Sequence, residues 1–284
     1  MSIVVTVRVG EGLVFSADSA SALQVMTGGQ LAVAKIFNNA TKLIQVKDYP
    51  IALATWGTGN FGTRSVISLV EEFEEEKLQP LLGKRRLDGK DVRVREVAEA
   101  IMNFLVDSYG KHIPEVAGIQ QEQRPSAGFV VGGYSSDGFF ADEYLFAIPE
   151  GTLKEARPNL PDGRPNFGAN WFGQADAIVR LHFGRDDRVP ALLERLGVEK
   201  GKIAQFAELS KTELQYPVVF DGMPLRDAID YADYLVSVVI GRFRHTLGAP
   251  ICAGPVDLAA ISRSAGFMWV RRKRIEGDTV EGRQ

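Results

Sequence analysis

Ser2-Ile3-Val4-Val5-Thr6-Val7-Arg8-Val9, then Gly10-Glu11-Gly12, then Leu13-Val14-Phe15-Ser16-Ala17-Asp18, is the stretch whose reading decides the fold. Ile3, Val5, Val7 and Val9 alternate with Val4, Thr6 and Arg8, and this period of two marks a β-strand. Gly10-Glu11-Gly12 supplies a tight turn and Leu13 to Ala17 runs back, so the chain opens on a hairpin. The first strand starts directly behind Met1. If Met1 is removed, Ser2 carries its hydroxyl and a free α-amine on one residue, a nucleophile with a built-in base. An unperturbed α-amine has a pKa of about 7.7–8.0, so a useful neutral fraction exists at cellular pH.

Working outward, further strands are expected around Val33–Phe37, Lys42–Val46 and Ile51–Trp56, with Gly57, Gly59 and Gly62 after the last. Val66, Leu69, Val70 and Phe73 then recur at helical spacing, with Glu71 to Glu76 on the opposite, solvated side. Residues 77–91 read as a loop and 92–110 as a second helix with Val97, Ile101, Phe104 and Leu105 inward. Residues 111–125 are a polar connector. Strands resume at Gly128–Tyr134 and Phe139–Ala147, and a Pro-rich link leads through Asn170-Trp171-Phe172-Gly173 to a helix over Gln174–Phe183. A helical insertion is expected around 186–220, and a long helix from Leu225 to His245 buries Ile229, Ala232, Val236, Val239 and Phe243. The strands Val256–Ser262 and Gly266–Arg272 follow, and the tail frays from about residue 274. Helices come in blocks between antiparallel strand groups, which argues against a doubly wound parallel sheet. The expectation is an α+β chain, one domain over 1–284, folded as a four-layer αββα sandwich of two antiparallel sheets flanked by helices.

Composition bounds the function. A formal net charge of −3 over 284 residues disfavours a nucleic-acid or membrane-surface binder. Cys252 is the only cysteine, so no intrachain disulfide forms and a reducing, cytoplasmic setting is expected. Neither a signal peptide nor a membrane-spanning segment is recognised. His112, His182 and His245 lack metal-ligand spacing, and Cys252 reads as a buried structural thiol. Gly57-x-Gly59-x-x-Gly62 has the form of a dinucleotide fingerprint, but no βαβ unit or acidic ribose ligand accompanies it.

Near Ser2, two residues have chemistry to offer. The hairpin brings Asp18, at the end of its return strand, back to Ser2. Lys35 lies in the next strand signal, Ala34-Lys35-Ile36-Phe37. An ammonium lowers the energy of a developing alkoxide, and a carboxylate holds that ammonium in place. Taken singly, Asp18 reads as a strand-end turn former and Lys35 as a snorkelling edge lysine.

Met1-Ser2 before a Val-rich strand, Gly10-x-Gly12, Ala17-Asp18-Ser19, Ala34-Lys35 and Ala54-Thr55-Trp56-Gly57-Thr58-Gly59 resemble the proteasome β-type family. Ala253-Gly254-Pro255-Val256-Asp257 is similar to that family's last strand start. The resemblance implies an N-terminal-nucleophile hydrolase fold, with Ser2, Asp18 and Lys35 as catalytic residues and Gly57 as a backbone oxyanion donor. It further implies an apolar specificity pocket from Ser21, Val33, Phe37 and Thr55, a peptide or polypeptide substrate, and a homo-oligomeric ring or shell. An ATPase unfoldase is the partner it suggests, and no metal or organic cofactor is implied. The chain departs from the family at Gly173-Gln174, where a serine is missing, and at Ala249-Pro250-Ile251-Cys252, where no acid stands and Cys252 replaces a serine. Three functions follow: a peptidase working through an N-terminal serine and an acyl-enzyme, a small-molecule amidase or acylase, and a non-catalytic assembly subunit.

Overall fold

A computed structural model describes residues 2–27, 30–78, 92–113 and 124–273. The basic run Lys84-Arg85-Arg86, most of the 111–125 connector and the tail expected to fray lie outside the described residues. The fold is α+β, and two five-stranded antiparallel sheets carry it.

The first sheet is built around the opening hairpin, β1 (Ile3–Val9) and β2 (Gly12–Ala17). β13 (Asp257–Ser262) pairs with β2, and β14 (Gly266–Arg271) closes that side. β12 (Gly168–Gly173) lies along the other edge of β1. The second sheet runs β11-β10-β9-β6-β5, from β5 (Leu43–Gln45), β6 (Ile51–Gly57), β9 (Ala127–Gly133), β10 (Asp142–Ile148) and β11 (Lys154–Glu155). β3 (Ser21–Thr27) and β4 (Gln30–Phe37) pair only with each other, as a two-stranded ribbon. β7 (Asn60–Phe61) and β8 (Arg64–Ser65) form a second small ribbon.

The alternation in β1 sorts residues between two buried faces, because all seven positions are buried. Ile3, Val5, Val7 and Val9 pack towards α3 (Asp176–Phe183) and α6 (Leu225–His245), in a core that includes Ile178, Ala232, Val236 and Phe243. Val4 faces the second sheet, with Leu13, Phe15 and Ala17 of β2 against Ala52, Ala54 and Val130. Fully burying a side chain such as Phe15 contributes about 1.5–3 kcal/mol. A third core joins the second sheet to α1 (Val66–Phe73) and α2 (Val94–His112). Ser65 caps α1, its hydroxyl accepting from the Ser68 N–H at 3.1 Å. Between α3 and α6, α4 (Val189–Arg195) and α5 (Lys200–Glu213) occupy the region read as inserted.

The inter-sheet space is not apolar throughout. Thr6 and Arg8 on β1 face Glu143 of β10, with Arg157 and Asn170 beside them. Burial pushes the Glu143 carboxyl up, against the pull of Thr6 and the two arginines. This polar layer lies roughly 13–20 Å along β1 from Ser2, at about 3.3 Å per residue. Among the described residues, no helix is long and apolar enough to cross a membrane.

His182 couples α3 to α6: its Nε2 is hydrogen-bonded to the Tyr231 hydroxyl and its ring stacks on Trp171 at 5.1 Å. Burial pushes its pKa below the ordinary imidazole value. The unfolded chain therefore takes up a proton that the folded chain excludes as the pH falls below about 6.5, so acid lowers stability. Calorimetry should show that His182→Gln loses about 2 °C less than the parent protein between pH 7 and pH 5.

Candidate functional site

Asp18 sits where β2 ends, wholly buried, and its carboxylate collects four donors. Oδ1 accepts from the Ile3 N–H at 3.0 Å and from Lys42 Nζ at 2.6 Å. Oδ2 accepts from the N–H groups of Ala20 at 3.1 Å and Ala253 at 3.2 Å. The hairpin register produces this placement. Val4 lies opposite Ala17, so the next residue, Asp18, reaches the start of β1 and donates its own N–H to the Ile3 carbonyl at 3.2 Å. Ser2, buried in turn, is the adjoining residue.

The lysine beside Asp18 is Lys42. This corrects the expectation for Lys35, which is exposed on β4 and pairs across the ribbon with Leu23. The reason is topological. β4 hydrogen-bonds only to β3, so its residues stay on the ribbon, and the chain rejoins the body after Phe37. There the Ala40 N–H donates to the Ser19 carbonyl at 2.9 Å, and the Lys42 carbonyl accepts from the Thr55 N–H at 2.9 Å. Those two bonds turn the Lys42 side chain inward. Burial and Lys273 push the Lys42 ammonium below its ordinary pKa, while Asp18 opposes the shift. Two facts could have singled it out in the sequence: it follows a polar link, Asn38-Asn39-Ala40-Thr41, and it opens an apolar strand.

The residues expected to form an apolar pocket divide. Ser21 and Phe37 face each other at the base of the ribbon. Val33 pairs with Gln24, roughly 10–13 Å further out along the ribbon. Thr55 is buried on β6 beside Lys42, and its hydroxyl donates to the Gly128 carbonyl at 3.2 Å.

Gly57 closes β6 with φ +92°, and a Cβ there would lie 2.4 Å from the Ser126 carbonyl oxygen, so no larger residue fits without a shift. Trp56 stacks on Phe172 of the first sheet at 4.6 Å between ring centroids, tying the end of β6 to the end of β12. Beside Gly57 opens a cavity of about 450 Å³, lined by Trp56, Ser126, Leu145, Glu150 and Lys154 among others. Gly173 brings β12 close to Ser2: a Cβ there would fall 2.0 Å from the Ser2 carbonyl oxygen.

Cys252 and Lys273 complete the cluster. Cys252 is fully buried, and burial together with Asp18 pushes its thiol up to about 12. Lys273 forms an ion pair with Asp257, and its Nζ donates to the Ser19 hydroxyl at 3.0 Å. Nothing in its sequence position next to the tail signals this place beside a buried aspartate. Among the described residues, no group of three His, Cys, Asp or Glu side chains is placed to hold a metal ion.

Removing one partner of a buried ion pair strands the other charge. Lys42→Met should therefore destabilise the protein by about 3 kcal/mol in denaturant titrations, whereas Lys35→Met should change stability by less than about 0.5 kcal/mol. The Cys252 thiol should resist iodoacetamide at pH 8 in the folded protein and react once the chain is denatured, as read by intact mass.

Comparison with known proteins bears on the fold. No family model matches this sequence, and no curated protein matches it. Among solved structures, the chain is similar to one described as the helical assembly of the Anbu complex from Pseudomonas aeruginosa. The identity is 18%, over 97% of this chain and 88% of that one, with a TM-score of 0.53. Membership of the proteasome β-type family, implied by the sequence motifs, is corrected accordingly: no family model carries it, and what is shared is a fold.

Proposed function

We propose that this chain is a peptidase whose nucleophile is Ser2, exposed by removal of Met1, and that it acts within an assembly of its own copies. One observation carries this reading. The residue after Ser2 is pinned through its N–H to a buried carboxylate that also holds a lysine ammonium at 2.6 Å. A carboxylate and an ammonium sealed beside a strand-end serine are the groups needed to activate a hydroxyl without a histidine.

In this mechanism the Ser2 α-amine takes the Oγ proton as Oγ attacks the carbonyl carbon of a peptide bond. The Lys42 ammonium, held by Asp18, stabilises the alkoxide as it develops. The Gly57 N–H receives the carbonyl oxygen as negative charge builds on it. The amine then gives its proton to the leaving nitrogen, the C–N bond breaks, and an ester on Oγ remains. Water hydrolyses that ester, with the same amine as base. Lys42 takes the part that the sequence motifs imply for Lys35. Ser21 and Phe37 at the ribbon base, with Thr55, would meet the residue before the scissile bond, and this favours an apolar side chain.

The three cores are consistent with layers ordered helices, sheet, sheet, helices, in one domain, with α4 and α5 as the inserted part. The shared fold with a chain of a helical assembly favours an oligomer of this chain. A non-catalytic assembly subunit is the second reading, favoured by the buried Cys252 and by the glutamine at position 174.

A peptide epoxyketone probe separates the two readings. The expected outcome is loss of Met1 by intact mass and a single adduct mapped to Ser2, with peptide hydrolysis reduced more than 100-fold in Ser2→Ala. A processed terminus that takes no adduct would refute the peptidase reading.

A further inference from the structure

The pairing of β1 with β12 sets the direction of the Ser2 amine. The Ser2 carbonyl accepts from the Gln174 N–H at 2.8 Å, one step beyond the Ile3–Gly173 pair, so the ladder continues through Ser2. In such a ladder, the N–H and C=O of one residue leave by the same edge. Ile3 turns its own groups the other way, to Asp18. The Ser2 nitrogen therefore leaves by the edge on which Gln174 lies, where the chain passes through Ala175 into α3 at Asp176.

Asp176 has an acceptor to offer there. Its Oδ2 takes the Arg242 guanidinium of α6 at 2.9 Å. Its Oδ1 is closed off from solvent and has no hydrogen-bond partner among the described residues. A carboxylate oxygen shielded from water and left unpaired is unfavourable, and such atoms call for an explanation. Asp176 also acts on the Cys252 thiol, more weakly than Asp18 and Lys42 do.

We propose that Asp176 is a positioning residue whose Oδ1 accepts a hydrogen bond from the α-ammonium that Met1 removal creates on Ser2. The inference rests on the reading of Ser2 as an exposed N-terminal nucleophile. With Met1 attached, the Ser2 nitrogen is an amide with one hydrogen, whereas the free ammonium has three. One of these can engage Asp176 while the nitrogen keeps its approach to Oγ. Asp176 thereby sets both the orientation and the basicity of the amine. The other charged or titratable groups around the pair are Asp18 at the end of β2, Lys42 ahead of β5, Cys252 ahead of β13, Lys273 after β14, Arg242 on α6 and Arg188 ahead of α4.

The test uses the full-length protein with two readouts across pH 5.5–9.5. Competitive acetylation by acetic anhydride, followed on the N-terminal peptide by mass spectrometry, titrates the Ser2 amine. The rate of Ser2 modification by a peptide vinyl sulfone follows the nucleophile. A nearby carboxylate holds an ammonium in its charged form. Asp176→Asn should move the amine midpoint down by about one pH unit and slow the vinyl sulfone reaction several-fold. Asp176→Glu should restore most of both. Arg242→Gln, which frees the carboxylate from its cation, should move the midpoint up, and it keeps the test intact if the asparagine variant does not fold. Unchanged midpoints in the variants, with a reactive parent protein, would overturn the placement of Asp176 alone. Shifted midpoints with no vinyl sulfone adduct in the parent would support the placement and sink the nucleophile reading. A chain that keeps Met1 would sink both.

Discussion

The Asp18 carboxylate is the constraint on which the rest depends. Its two oxygens accept from Ile3, Ala20, Ala253 and Lys42, and so join four stretches of chain far apart in sequence. A buried carboxylate is tolerated only if its lone pairs are filled, and four donors are about as many as one carboxylate takes. Each donor therefore fixes a backbone position: the start of β1, the turn after β2, the approach to β13 and the residue ahead of β5. Ser2 inherits its place from the first of these.

Around that anchor, the two sheets divide the work of positioning. The first contributes Ser2 and Asp18 through the register of a single hairpin. The second holds Lys42 against Asp18, through the bond from the Thr55 N–H of β6 to the Lys42 carbonyl. The stacked Trp56 and Phe172 rings join the two sheets at the ends of β6 and β12. At the other end of β1, the same inter-sheet space holds arginines and a glutamate, so the apolar seal is local. The buried Cys252 thiol, its pKa raised by burial and by Asp18, stays protonated beside the ion pair.

Much of this was legible beforehand, for specific reasons. Strict alternation in β1, a glycine turn and a clean return strand leave one hairpin register, and that register carries Asp18 to Ser2. The helical stripes of α1, α2 and α6 were equally plain, because their periodicity is set by their burial. The local pattern does not predict β3 or β12 as strands. Gly168–Gly173 follows a proline-rich link and mixes aromatic with small residues, and only docking on β1 makes it a strand. Lys35 shows the limit most clearly. It sits in a convincing strand signal, and β4 is indeed a strand. Local pattern, however, says nothing about which strands pair, and this one pairs only with its own hairpin partner.

The sequence by itself therefore determined the local elements, the opening hairpin and the return of Asp18 to the start of β1, because short-range periodicity and turn chemistry decide those. The tertiary structure alone decided which lysine completes the ion pair, that Cys252 and Lys273 stand beside it, and that one Asp176 oxygen is shielded from solvent with no hydrogen-bond partner among the described residues. Those contacts join residues far apart in the chain, and they form only when the cores on both sides of each sheet close, which no local pattern encodes.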